Sequence, residues 1–291
     1  MSWRTVVVSS RSKLELKNGY LVIRSDTVKR VHLDEISVLV IENTGSAVTA
    51  ALLEALWENK TVVIFCDHKR NPGAQLLPYY NSFDCSARVN TQIQWTQDVK
   101  DLVWTEIIKE KIRKQAQAIE KLNLKNSDLL YSYIDEIETG DSTNREGHAA
   151  KVYFNSLFGS SFSRSDDCFT NSALNYGYGL LLSLVNREIV ANGYLTQLGL
   201  FHKNVFNQFN LSSDLMEPFR PLFDLIVYSM PKGTDLEHED KLFLLNTLNE
   251  RVQIGKAKQT VINAVGIYVK SILDALDNND LSLIKFYEYE F

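Results

Sequence analysis

The apolar residues of this chain change their spacing once, near residue 80, and that change limits the fold to two dissimilar parts. Before it, the pattern is that of strands. Val6-Val7-Val8 is a β-branched run, and Lys13-Leu14-Glu15-Leu16-Lys17 alternates polar with apolar. Asn18-Gly19 supplies a tight turn, and Tyr20-Leu21-Val22-Ile23 returns from it. A third pattern runs from Val28 to Glu42. Ser46 then opens a helix with Val48, Leu52, Leu53, Leu56 and Trp57 on one face, and Thr61 to Phe65 reads as a buried strand. Asp67-His68-Lys69-Arg70 is either a metal or phosphate site at a strand end or, the preferred reading since no other ligand lies at a suitable spacing, a solvated loop ahead of a turn at Pro72-Gly73. From Ser82 the spacing is helical almost to the end. Val99, Leu102, Val103, Ile107, Ile108, Ile112, Ala116, Ile119 and Leu122 form one long stripe. The expected class is α+β, with a small β-rich domain over 1–80 and a larger all-α domain over 81–291.

The chain has 291 residues, of which 45 % are hydrophobic and 23 % charged, a globular composition. No apolar run is long enough to span a membrane, and the N-terminus lacks a signal-peptide layout. Cys66, Cys85 and Cys168 are far apart, which fits a reducing cytoplasm and gives no zinc or disulfide framework. The net charge of −5 works against nucleic-acid binding. The acid is concentrated, however, in residues 235–240 and in the tail from Asp274. Lys109, Lys111, Arg113, Lys114, Lys121 and Lys125 form a local basic face, either solvated or in contact with DNA.

The helical part carries the candidate chemistry. Ser142 is the best cap for a helix that places Glu146 in its first turn. Gly147 disfavours that helix, which suggests a close approach to the backbone beside Glu146. His148, two positions along the helix, points about 200° away. Asn171 to Gly193 reads as a buried central helix carrying Asn175 and Tyr178. Further on, Glu217, Arg220 and Asp224 share one face of a helix broken by Pro218 and Pro221. His202 lies ahead of Asp214 and Glu217, whose Asp-x-x-Glu spacing is also that of a helix cap. Two carboxylates and an imidazole suit Mg²⁺ or Mn²⁺, with positions left for water and phosphate oxygens.

Taken together, Arg145-Glu146-Gly147-His148-Ala149-Ala150-Lys151-Val152-Tyr153-Phe154, Asn171 to Leu180, Gly199-Leu200-Phe201-His202 and Asp214-Leu215-Met216-Glu217-Pro218-Phe219-Arg220-Pro221 resemble the CRISPR-associated integrases of spacer acquisition. The compact last run is most similar to type II members. The resemblance implies a metal-dependent DNA endonuclease and integrase. Its metal triad and catalytic residues would be Glu146, His202 and Glu217, with glutamate where many members have aspartate, and Asp214 would be a second acid nearby. It implies Mg²⁺ or Mn²⁺ as cofactor and double-stranded DNA, prespacer and CRISPR repeat, as substrate. It also implies a homodimer joined through the N-terminal domains and a small ferredoxin-like partner bridging two dimers. A nuclease or phosphoesterase unrelated to CRISPR, and a non-catalytic DNA-binding scaffold, are the alternatives.

Overall fold

The computed structural model describes residues 4–79 and 82–289. The chain divides into two compact units, Met1–Cys85 with Val190–Gly193 and Ser86–Ile189 with Tyr194–Phe291. The expected boundary between residues 80 and 81 lies outside the described residues.

The first unit contains β1 (Arg4–Val8), β2 (Lys13–Lys17), β3 (Tyr20–Arg24), β4 (Val28–His32), β5 (Ile36–Ile41), β6 (Ala47–Val48), α1 (Ala50–Glu58), β7 (Val62–Cys66) and β8 (Pro72–Gln75). They form two four-stranded sheets, ordered β1-β5-β7-β8 and β4-β3-β2-β6. Strand β5 lies between two parallel neighbours and all six of its residues are buried, which accounts for the apolar run Val38 to Ile41. The β2–β3 turn is the two-residue hairpin expected, with φ of 52° at Asn18 and 78° at Gly19. The run from Val28 to Glu42 is two strands in different sheets, separated by a short 3₁₀ turn at Leu33–Glu35. Pro72 and Gly73 lie in the edge strand β8, not in a turn; an edge tolerates the missing proline donor. The Asp67 carboxylate accepts from the Lys69 and Asn71 amides, so the loop containing His68 is a local turn. Leu14, Leu21 and Ile23 of one sheet, Val8, Ile36, Leu39 and Ile41 of the other, and Leu52 and Leu56 of α1 share one core.

The second unit contains α2 (Cys85–Gln94), α3 (Gln97–Lys121), α4 (Ser127–Asp135), α5 (Arg145–Phe158), α6 (Phe169–Ala191), α7 (Asn210–Leu215), α8 (Arg220–Ser229) and α9 (His238–Asn246). It continues with β9 (Arg251–Ile254), β10 (Ala257–Thr260), α10 (Val261–Asn278) and β11 (Tyr287–Glu288). The architecture is α+β, as expected, although the helical unit also carries a small antiparallel sheet ordered β10-β9-β11. Among the described residues, no helix is long and apolar enough to cross a membrane.

Helix α3 is the hub of this unit. It starts at Thr96, whose hydroxyl accepts from the Val99 amide, and α4, α5, α7, α8 and α10 all pack against it. Its charged residues are therefore drawn inside. Glu110, Lys111 and Lys114 are all buried. Lys114 pairs with Glu110 at 3.0 Å and with Glu288 at 2.7 Å, and Arg113 pairs with Glu110. Lys109 pairs with Glu106. The basic face expected on this helix is thus largely consumed by internal ion pairs. The C-terminal strand closes on the same region. The Tyr287 hydroxyl donates to the Pro218 carbonyl at 3.2 Å, and the Tyr287 ring lies 4.5 Å from that of Phe219.

Helix α6 meets α8 at Gly177, where an added Cβ would sit 2.7 Å from the fully buried Phe223 ring. Alanine would gain about 1 kcal/mol of helix propensity. Overpacking a filled core costs about 1–3 kcal/mol. We expect Gly177→Ala to destabilise the protein, and to become neutral or stabilising in a Phe223→Leu background. Denaturant unfolding of the two single variants and the double variant measures the reversal.

Candidate active site

Three chain segments meet on α3. The first is the start of α5. Asn144, at the cap position, has φ 53° and makes no side-chain cap bond. The capping group is Asp141, whose carboxylate accepts from the amides of Arg145 at 2.8 Å and Glu146 at 3.0 Å. Ser142, the expected cap, bonds to Glu138 instead. Capping of this kind contributes about 1 kcal/mol and fixes where α5 begins. At Gly147, an added Cβ would lie 2.8 Å from the Asn144 side chain. The crowding beside Glu146 therefore comes from the chain itself.

The second segment is the double-proline run. It breaks the chain into α7, a 3₁₀ turn at Glu217–Phe219, and α8, with Pro221 in the first turn of α8 where no amide donor is required. The turn presents Glu217 to α3, its side chain only 2 % exposed. Lys111 of α3 lies between the two segments. Its Nζ is 2.5 Å from Glu146 Oε1 and 2.5 Å from Glu217 Oε2. The other oxygen of Glu217 pairs with Arg220 at 3.1 Å. Burial pulls the Lys111 pKa down, but the Glu217 and Glu146 carboxylates outweigh it and raise it. In return the Lys111 charge, more than any other group, holds the Glu146 carboxyl below its ordinary range.

The third segment is the loop that carries His202. Asp214, fully buried in α7, shapes it. One carboxylate accepts from the amides of Leu200, Phe201 and His202 at 2.6–3.1 Å and also contacts His202 Nδ1 at 2.5 Å. Gly199 is needed for this fit, because a Cβ there would sit 2.4 Å from the His202 carbonyl oxygen and 2.8 Å from Asp214. The bond to Asp214 is the main reason the His202 pKa is raised. Trp104 of α3 stacks on Phe201 at 4.7 Å and meets the imidazole edge-on. Asp214 is therefore neither a helix cap nor an idle charge. It orients the histidine and leaves Nε2 as the nitrogen available to a ligand.

Glu146 and Glu217, which are 71 positions apart, are thus joined through Lys111, whereas His202 is turned to Asp214. Among the described residues, no group of three His, Cys, Asp or Glu side chains is gathered to hold a metal. The donor types nevertheless suit a hard divalent cation. Glu217 Oε2 is buried and forms no hydrogen bond, only the ion pair with Lys111. The Lys111 ammonium is the cation that lies between the two carboxylates. The sequence put Lys111 on an exposed basic face, either solvated or in contact with DNA, whereas it is buried. The signal that would have moved it inside is its place four residues after Ile107 and one before Ile112, within the apolar stripe.

Further polar groups surround this core. Arg164 is held by Asn171 and by Asn175 at 2.7 Å, not by a carboxylate. Arg164 and Arg220 both lie over the Tyr178 ring, at 5.5 and 4.8 Å. Tyr178 donates to Asp224 at 2.5 Å. His148 is exposed and rests on Tyr133. Beside His202 runs an open groove of about 710 Å³ that includes Lys100, Lys203, Val205 and Phe206. Phe206 is 93 % exposed and Val205 88 %, uncommon for apolar side chains.

Residues 5–248 match the family model described as CRISPR associated protein Cas1. The CRISPR-associated endonuclease Cas1 of Neisseria meningitidis serogroup C (strain 8013) is 33 % identical over 291 residues, covering 98 % of this chain and 96 % of that protein. Among solved structures, a casposase bound to its integration product has a TM-score of 0.76 at 17 % identity, covering 97 % of this chain and 92 % of that one. The Cas6-RT-Cas1–Cas2 complex gives 0.72 at 16 % identity, covering 97 % of this chain and 36 % of that much longer one.

Asp224 generates a prediction. Burial pushes its carboxyl up to about 7 despite the Tyr178 hydrogen bond. The unfolded carboxyl titrates near 4. The stability from this raised pKa is therefore fully present below about pH 4 and is lost as pH rises through 7. Relative to wild type, Asp224→Asn should be more stable at pH 8 than at pH 5, by about 2–3 kcal/mol. Thermal melts at the two pH values test this; a difference independent of pH would contradict it.

Proposed function

The chain belongs to the CRISPR-associated Cas1 family, and from that membership we propose that it inserts short DNA fragments into a CRISPR array as part of antiviral defence. The reaction would be a transesterification in which the 3′-hydroxyl of a prespacer attacks a phosphodiester of the repeat. The observation that carries the proposal is the convergence of Glu146 and Glu217 on a single cationic position, with an Asp214-held histidine on an adjoining segment of the same unit. Glu146, His202 and Glu217 would hold Mg²⁺ or Mn²⁺. Bound there, the ion would supply a Lewis acid for the phosphoryl oxygen and lower the pKa of the attacking hydroxyl.

The remaining roles belong to the chain's own residues. Asp214 keeps the imidazole oriented. Arg220 neutralises one oxygen of Glu217 and keeps that side chain in place. Arg164, held by two asparagines, has a charge free to meet a phosphate oxygen. The groove beside His202 would take a DNA strand, with Lys100 and Lys203 facing the backbone and Phe206 offering a stacking surface. We further propose residues 1–80 as the surface that pairs two copies, residues 81–291 as the catalytic part, and a small Cas2-type protein as the bridging partner. Likeness to the Cas6-RT-Cas1–Cas2 complex supports that partner. The compact Asp214 to Pro221 run supports a type II affiliation, and work on a chromosomal array implies a cytoplasmic location. The scaffold alternative draws on the absence of a gathered ligand group among the described residues.

Strand transfer into a supercoiled repeat plasmid decides between these readings. Glu146→Gln, His202→Ala and Glu217→Gln should each abolish it, as should EDTA, with recovery on added Mn²⁺. Glutamine is preferred at position 217, because it fills the same volume and keeps an acceptor oxygen for Lys111 or Arg220, whereas alanine would leave both without a partner there and open a cavity. Full strand transfer by a folded His202→Ala protein would reject the triad, and hydrolysis without joined product would favour an unrelated nuclease. Separately, Lys203→Ala with Phe206→Ala should weaken DNA binding by about tenfold or more and flatten its salt dependence. An unchanged salt slope in fluorescence anisotropy would remove the groove from the DNA path.

A further inference from the structure

We propose that Lys111 is a built-in competitor for the divalent cation: its ammonium holds Glu146 and Glu217 together in the metal-free protein and leaves that position when the ion binds. The inference rests on the reading of Glu146 and Glu217 as ligands, and it adds a residue that reading does not contain.

Geometry is the first argument. Nζ is equidistant, at 2.5 Å, from one oxygen of each carboxylate, and those carboxylates come from different elements. Among the described residues, no other side chain forms a hydrogen bond or ion pair with both. Charge is the second. Glu146 and Glu217 are balanced by Lys111 and Arg220, so the four groups sum to zero. A divalent ion entering without displacement would leave an excess of two positive charges in a buried setting, where such an excess is strongly opposed.

The third argument concerns which cation gives way. Arg220 is a planar fork that also lies over the Tyr178 ring, 4.8 Å from its centroid. Lys111 is a point charge on a flexible four-carbon stem, anchored in the middle of α3. Its head group can move while the helix stays still. Of its two partners, Glu217 is 2 % exposed and Glu146 24 %, so the way out is on the Glu146 side. A displaced ammonium on that side remains tethered within the site, where a DNA phosphate can receive it. Metal and DNA would then favour each other's binding, because both favour the displaced position, and the coupling must be reciprocal.

The test is Mn²⁺ binding, followed by electron paramagnetic resonance of the free ion, with and without a short single-stranded oligonucleotide. Lys111→Met should bind Mn²⁺ at least tenfold tighter than wild type in the absence of DNA. It should also melt at a lower temperature in EDTA and regain stability with Mn²⁺. The oligonucleotide should tighten Mn²⁺ binding by a larger factor in wild type than in Lys111→Met, where only the direct contact of phosphate with the ion remains. Lys111→Arg should stay near wild type. Lys111→Gln gives the same comparison if the methionine variant does not fold. Mn²⁺ affinity equal to or weaker than wild type in the folded neutral variants would overturn the inference. If wild type and Glu217→Gln bind Mn²⁺ alike, the ligand assignment itself fails, which is a separate result.

Discussion

The ion pair of Lys111 with Glu146 and Glu217 is the contact on which the second unit depends. Helix α3 is covered by five other helices, so a charge in its middle has no water to turn to. It is tolerated only where opposite charges reach it from other parts of the chain. Glu146 arrives on α5 and Glu217 on the turn ahead of α8. Removing one partner of such a buried arrangement costs about 3–5 kcal/mol, because the other is left uncompensated. The same contact therefore anchors two elements to α3 and assembles the carboxylates. One turn along, Lys114 repeats the device with Glu110 and Glu288.

The other half of the site follows a different rule. His202 sits on a loop with no regular hydrogen bonding of its own. Asp214 replaces the missing ladder by accepting three consecutive amides and the imidazole nitrogen. A single buried carboxylate thereby fixes both a backbone path and a ring orientation. The requirement for glycine at position 199 follows from how closely the loop wraps that carboxylate. The proposed metal site would have one rigid arm on helices and one arm whose shape depends on a single side chain.

Much of this was legible in the sequence, and the part that was not has a common cause. Asn18-Gly19 marks its turn because backbone conformation is a local property. The buried strand β7, the stripe on α3 and the proline break before α8 were readable for the same reason. Residue types suited to a metal were visible at Glu146, His202 and Glu217, although spacing alone left the choice between Asp214 and Glu217 open. What could not be read were partnerships over long separations. Lys111 meets Glu146 from 35 positions away and Lys114 meets Glu288 from 174. The basic face was misread because periodicity locates a charge on a helix without saying what covers it. Strands β9 to β11, of two to four residues, are too short to show a period at all. The Ser142 cap failed because Asp141, one position earlier, reaches two amides at once.

The bond from Tyr287 to the Pro218 carbonyl joins residues 69 positions apart. During synthesis the turn bearing Glu217 leaves the ribosome long before the strand that supports it. At roughly 5–20 residues per second, the interval is several seconds. Through that interval Phe219 lacks the nearer of the two aromatic rings it packs against, those of Tyr287 and Tyr268, and Lys114 lacks Glu288. A nascent chain therefore carries Glu146, His202 and Glu217 before it carries the strand that supports the Glu217 turn, so that turn is secured only after β11 has been made.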